Sequence, residues 1–249
     1  MEESFARVET KYLLTAAQAS AVAEGLRQQG FRRADFGSPR VQSLYYDTED
    51  HALIRASLER PGYKEKLRLR VYGEPGTISM SYLEIKKKYL GVVYKRRTAL
   101  PLQEAADSLA SGSLPETAGQ VGREILWMKR RYDLRPAAVI AYDRDAWSSE
   151  KDPGVRVTFD RNLSFRDGDP DLNSRARGLL LIPGDMRLME IKTGGVLPLW
   201  LARLLRDADV RRTHFSKYGE AYRLYIQPGR DRAERNELIC SAVSLSMGA

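Results

Sequence analysis

The chain has 249 residues, 43% of them apolar, enough for one large domain or two small ones with a substantial core. Lys and Arg number 41 against 33 Asp and Glu, a formal charge of +8 that points to an anionic partner: nucleic acid, a membrane surface or phosphorylated small molecules. The single Cys240 excludes an internal disulfide and a cysteine-built zinc site, and with only two histidines, His51 and His214, any metal has to be held by carboxylates.

The amino terminus, MEESFARVETKY, lacks the apolar stretch of a signal peptide. No apolar run approaches the roughly 20 residues of a membrane helix, so the expected location is the cytoplasm. The expected organisation is one domain over residues 1–228 and a tail over 229–249, whose charged first half is compatible with helix.

In chain order, a first strand alternates Arg7, Glu9 and Lys11 with Val8, Thr10 and Tyr12. Thr15 followed by Gln18 forms a capping-box pattern, the Ala-rich stretch to Gln29 favours helix, and Gly30 can end it. Tyr45, Tyr46, Asp47 and Thr48 end a strand in a turn where Asp47 bonds nearby backbone, a structural role. Lys66, Arg68 and Arg70 alternate with Leu67, Leu69 and Val71, and Glu84, Lys86 and Lys88 with Leu83, Ile85 and Lys87. Less regular strands near Val92–Thr98 and Val139–Asp145 add Lys95, Arg97 and Arg144, on either side of two helices predicted between Leu102 and Tyr132. Further on, Arg156, Thr158 and Asp160 alternate with Val155, Val157 and Phe159, and Glu190 and Lys192 with Met189, Ile191 and Thr193. Pro198 can open a helix through Trp200, Leu201, Leu204 and Leu205, and Ser216 can cap a last one running to about Ile226.

For any one strand, a charged row reads as the solvated face of an antiparallel sheet. The sum argues otherwise. One face collects twelve bases (Arg7, Lys11, Lys66, Arg68, Arg70, Lys86, Lys88, Lys95, Arg97, Arg144, Arg156, Lys192) against four acids (Glu9, Glu84, Asp160, Glu190), a surplus equal to the net charge of the whole chain. Clustering so many like charges costs energy unless an anion offsets it. The expected fold is therefore α+β: a sheet closed into a β-barrel of about eight strands, charged inside, with helices packed outside. A linear polyphosphate suits such a passage, with Arg giving bidentate contacts and Lys acting as a point charge. The four acids can hold bases in place, or a subset can hold Mg²⁺ or Mn²⁺.

These residues resemble the triphosphate tunnel metalloenzymes, and within them the polyphosphate polymerase domain of the vacuolar transporter chaperone (VTC) complex. The resemblance spans about Phe5 to Tyr225: Arg-Val-Glu-Thr-Lys-Tyr at 7–12, Ser-Leu-Tyr-Tyr-Asp-Thr at 43–48, Lys-Leu-Arg-Leu-Arg at 66–70, Leu-Glu-Ile-Lys at 83–86, Tyr-Asp-Arg at 142–144, Arg-Val-Thr-Phe-Asp at 156–160, Met-Glu-Ile-Lys at 189–192 and Phe-Ser-Lys-Tyr at 215–218. It implies an eight-stranded antiparallel β-barrel tunnel and transfer of the ATP γ-phosphate to a growing inorganic polyphosphate chain, with Mn²⁺ or Mg²⁺ as cofactor. It places Lys11, Arg68, Arg70, Lys86, Arg144, Arg156 and Lys217 on phosphates and makes Glu190 the metal ligand, with Glu9 the second candidate. Arg7, Lys95, Arg97, Lys192 and Ser216 complete the expected substrate-binding set. Where the hydrolase branch has Glu-x-Glu-x-Lys on the first strand, this chain has Arg7, Glu9 and Lys11, which favours transfer over hydrolysis.

A tunnel triphosphatase is the close alternative, and a non-catalytic polyphosphate-binding module a further one. A nucleic-acid module is not expected, because the bases alternate along many strands instead of forming one stripe with stacking aromatics. The eukaryotic complex's membrane segments are absent from this sequence, which leaves room for a membrane-protein partner.

Overall fold

The computed structural model describes residues 8–35, 39–59, 62–90 and 92–227. Arg7 and the expected tail lie outside the described residues. The elements run β1 (Val8–Thr15), α1 (Ala16–Gln28), β2 (Arg32–Arg33), β3 (Arg40–Asp47), α2 (Ala52–Leu58), β4 (Tyr63–Tyr72), β5 (Met80–Tyr89), β6 (Val92–Pro101), α3 (Leu102–Ser111), α4 (Gly119–Tyr132), β7 (Arg135–Ser148), β8 (Arg156–Arg166), β9 (Leu179–Leu180), β10 (Met186–Thr193), α5 (Leu199–Asp207), β11 (Arg212–Thr213) and α6 (Lys217–Ala221), the last continued by a π-helical turn at Tyr222–Ile226.

The hydrogen-bonded strand order is β11-β1-β10-β8-β7-β3-β4-β5-β6, with β2 joined to β7 and β9 to β8. The fold is α+β and rich in antiparallel sheet, as expected, but among the described residues the sheet is not closed into an eight-stranded barrel. Its path is open because the outer edge of β1 takes only the two-residue β11, while β6, exposed over most of its length, ends the other side. Alternation reveals which way side chains face; it carries no information on whether the terminal strands pair.

The described residues form two compact units: those of 8–35, 142–163 and 180–227 in one, and those of 39–141 with 164–179 in the other. In the first unit the apolar parity of β1, β8 and β10 (Tyr12, Leu14, Val157, Phe159, Met189, Ile191) packs against Val22 and Leu26 of α1 and Leu201 and Leu205 of α5. In the second, Leu67, Leu69, Val71, Leu83 and Ile85 pack against Ala105 and Leu109 of α3 and Ile125 and Met128 of α4. Each fully buried aliphatic side chain contributes about 1.5–3 kcal/mol of transfer free energy. The charged parity of the same strands is thereby left on the face away from the helices.

Local sequence explains the starts of two helices. Thr15 and Gln18 form a reciprocal capping box at α1, and Ser216 Oγ accepts the Gly219 N–H at α6. The helix α2 was not foreseen. It is started by Asp47, whose buried carboxylate accepts from the backbone of Thr48 and Leu53 at 2.9 Å and of Ile54 at 3.1 Å.

Candidate functional site

In the first unit, antiparallel register sets charged residues side by side. Lys11 on β1 stands opposite Glu190 on β10, which stands opposite Thr158 on β8; the next row is Glu9, Lys192 and Arg156. Asp160 belongs to the same face, opposite Leu188. Two further side chains complete the cluster. Arg144 of β7 donates from Nε to Asp160 Oδ1 at 2.6 Å and from Nη2 to Asp160 Oδ2 at 2.7 Å and Glu190 Oε2 at 3.0 Å. Lys217, buried at the start of α6, lies 2.7 Å from Asp160 Oδ2 and 2.8 Å from Glu190 Oε1. The ring of the buried Tyr142 supports both cations, 5.1 Å from Arg144 and 4.7 Å from Lys217.

Electrostatics follow from this packing. Burial by itself would raise the Glu190 carboxyl, but the charges of Lys217, Lys11 and Arg144 hold it well below its ordinary range. Burial would likewise lower Lys217, and the charges of Asp160 and Glu190 raise it instead. Glu190 and Lys217 are thus each held in the charged form by the other's neighbours. Thr158 Oγ1, in the same row, is buried and has no hydrogen-bond partner among the described residues.

The second unit repeats the arrangement with other residues. Tyr45, Arg68, Glu84 and Arg97 form one row across β3 to β6; Lys66, Lys86 and Lys95 form the next, and Ser43, Arg70 and Tyr82 lie on the other side. Glu84 is 1% exposed and holds Arg68 at 2.6 Å and Lys95 at 2.5 Å. Against the effect of its burial, Arg68, Arg70 and Lys95 lower it to about 2. Arg70 donates to Ser43 Oγ at 2.9 Å, and Arg97 lies 5.0 Å from the Tyr82 ring. Tyr45 accepts from Arg68 Nη1 at 3.2 Å; although burial would raise its phenol, Arg68, Arg70 and Lys66 bring it down to about 7.

The VTC-domain sequence pattern matches residues 6–226. The chain belongs to the VTC-domain family. That membership places it in the triphosphate tunnel metalloenzyme superfamily, as the resemblance implied. The VTC-domain chain is similar in fold to a candidate adenylate cyclase from Bacillus halodurans, with a TM-score of 0.50 and 14% identity over 92% of this chain and 96% of that one. It is also similar to a protein from Pyrococcus horikoshii, with a TM-score of 0.44 and 16% identity over 86% and 96% of the two chains. No curated protein matches it in sequence.

Within the VTC domain, the first unit brings together Lys11, Glu9, Arg144, Arg156, Glu190, Lys192 and Lys217, and the second Arg68, Arg70, Lys86, Lys95 and Arg97. Ser216 caps α6 through its hydroxyl. Sequence reasoning missed Tyr45 and Tyr142. The signal for Tyr45 was present as the parity it shares with Ser43, and that for Tyr142 as its place two residues before Arg144.

Among the described residues, no group of three His, Cys, Asp or Glu side chains is placed to hold a metal ion. Mg²⁺ is commonly held by only one or two carboxylates together with substrate phosphates. Glu9 and Glu190 fit that sparser arrangement. From adjacent strands they bracket a single cation position, filled by the Lys11 ammonium at 3.4 Å from an oxygen of each. Lys11 also donates to the Phe215 carbonyl at 2.9 Å, and Lys192 lies 3.7 Å from Glu9.

Proposed function

We propose that this VTC-domain protein is a metal-dependent polyphosphate polymerase that transfers the γ-phosphate of ATP to the end of a growing inorganic polyphosphate chain. The observation that carries this reading is the commitment of the buried acids. Glu190 contacts three cations, Asp160 two and Glu84 two, so these carboxylates fix the geometry of rows of bases. Phosphoryl transfer depends mainly on positioning and on neutralising phosphate charge, and such pre-oriented cations supply both.

In this reading Lys11, Arg68, Arg70, Lys86, Arg144 and Arg156 bind phosphates, and Lys95, Arg97, Lys192 and Arg7 extend the contact to more of the chain. Lys217 and Asp160 act through Glu190 as positioning residues, since Lys217 is buried against both acids. Glu190 and Glu9 would hold Mn²⁺ or Mg²⁺, which supplies charge neutralisation on the phosphates when bound. Replacing the Lys11 ammonium there would free that cation for an anionic oxygen. The single Cys240 suits a reducing cytoplasm, and no helix among the described residues is long and apolar enough to cross a membrane.

The test is incubation of purified protein with ATP and Mn²⁺, gel separation of polymer and assay of free phosphate. Long chains and primer extension support the polymerase. Free phosphate alone, with no extension of a supplied primer, overturns it in favour of a tunnel triphosphatase. Binding of polyphosphate without ATP turnover leaves a binding module. Arg7→Glu, which restores the hydrolase-type first-strand acid, is expected to shift product toward free phosphate.

A further inference from the structure

The connection between β5 and β6 has an unusual chemistry. Tyr89 pairs with Val92, so the hairpin connection begins at Leu90 directly after the last paired residue of β5. Two-residue hairpin turns favour Asn, Asp or Gly at the first central position, because the backbone there takes positive φ. Leu90 holds that position at φ 44 and is 71% exposed. A bulky apolar residue therefore occupies a backbone conformation that disfavours it and points into solvent.

Its neighbours continue the pattern. Tyr89, Val92, Val93, Tyr94 and, from the start of β4, Tyr63 are all 46–55% exposed. Adjacent residues of a strand point to opposite faces, so exposure of both Val92 and Val93 leaves both faces of the hairpin end uncovered. An exposed apolar patch of this extent marks an interaction site. The Leu90 N–H donates to the Gly62 carbonyl at 2.8 Å, which fixes the tip to the start of β4.

Behind the tip the charge has one sign. From Ile85 to Thr98 the sequence contains six bases (Lys86, Lys87, Lys88, Lys95, Arg96, Arg97) and no acid. Glu84 pairs with Lys95, Glu124 with Arg96, and Glu65 stands opposite Lys87, which leaves the surplus positive. Register orders the hairpin by polarity: Leu90 at the end, then Tyr89 with Val92, Lys88 with Val93, Lys87 with Tyr94, and Lys86 with Lys95.

We propose that this hairpin docks the protein on an anionic lipid surface. Leu90, Val92 and Val93 enter the boundary of the acyl chains, Tyr89 and Tyr94 sit at headgroup level, and Lys87 and Lys88 meet anionic headgroups. The sequence of apolar, aromatic and basic rows along the hairpin matches the order of layers across a membrane interface. A fixed basic collar of one sign is complementary to anionic lipid in any lateral arrangement.

Co-sedimentation of the full chain with vesicles tests the proposal, using phosphatidylcholine alone and phosphatidylcholine mixed with phosphatidylserine. Saturating tripolyphosphate occupies the phosphate-binding faces in both arms. Binding is expected to the mixed vesicles only, to persist with tripolyphosphate, and to fall about tenfold in Leu90→Asp/Val93→Asp and severalfold in Lys87→Glu. Both variants should keep the parent's melting temperature and tripolyphosphate affinity, which separates docking from misfolding and from the proposed catalysis. No binding to the mixed vesicles, or binding unchanged by the double variant, overturns the proposal. So does a dimer in gel filtration that the double variant converts to monomer without any vesicle binding, which would make the hairpin a contact between copies of the chain.

Discussion

The ammonium of Lys217 stands 2.8 Å from Glu190 Oε1, and both side chains are buried. Removing one partner of such a pair leaves a buried charge without compensation, which costs more than the intact pair contributes. Lys217→Met is expected to lower stability by about 3 kcal/mol, read as the urea midpoint with an unchanged slope. An unaltered midpoint would show that Lys217 does not clamp the two acids.

The same cluster sets an acid dependence. Glu190 is held well below its ordinary value in the folded state, so its stabilising contribution is complete above the unfolded carboxyl value, about 4.3, and is lost as pH falls through the folded one. Stability should therefore decline on acidification below about pH 4.3. Glu190→Gln should flatten that limb of the profile, and an identical slope in parent and variant would count against the assignment.

Glu190→Gln also separates metal from phosphate binding. The substitution keeps shape and removes a negative charge that repels phosphate, so tripolyphosphate affinity should be retained or raised while ATP turnover drops about tenfold or more. Calorimetric titration and a turnover assay on one preparation give both quantities. Normal metal-dependent turnover removes Glu190 from the metal site.

Tyr45 gives a dependence near neutrality. Its phenol is brought to about 7 against an ordinary value of 10.0, so above that pH a phenolate offsets one positive charge beside Arg68. Two opposite trends follow. Apo stability should rise as pH increases from about 7 toward 10, because the folded state ionises first. Tripolyphosphate affinity should fall severalfold over the same window. Tyr45→Phe should lack both components, and equal pH profiles for parent and variant would exclude the phenolate.

Arg68→Ala shows how tertiary contacts reverse an argument from charge. Alternation alone casts Arg68 as one of many like charges whose removal relieves repulsion in the apo protein. Its 2.6 Å pair with the buried Glu84 predicts the reverse: apo stability lower by about 1–3 kcal/mol, together with a smaller thermal shift on adding tripolyphosphate. Melts with and without the ligand measure both effects.

By itself the sequence determined which residues share a face and where the main helices begin. Side-chain direction alternates strictly along a strand, so Lys66, Arg68 and Arg70 had to lie opposite Leu67, Leu69 and Val71, and the Thr15–Gln18 box acts over a single turn. Tertiary structure alone decided which charges meet. Asp160 binds Arg144 and Lys217 because strand pairing and the return of the chain at α6 bring distant segments together, and that choice is set by register and packing, which no local pattern encodes. The open sheet path, the cation position between Glu9 and Glu190, and the low value of Tyr45 have the same origin. Each depends on burial and on neighbours far away in the chain, where desolvation makes a few ångströms decisive.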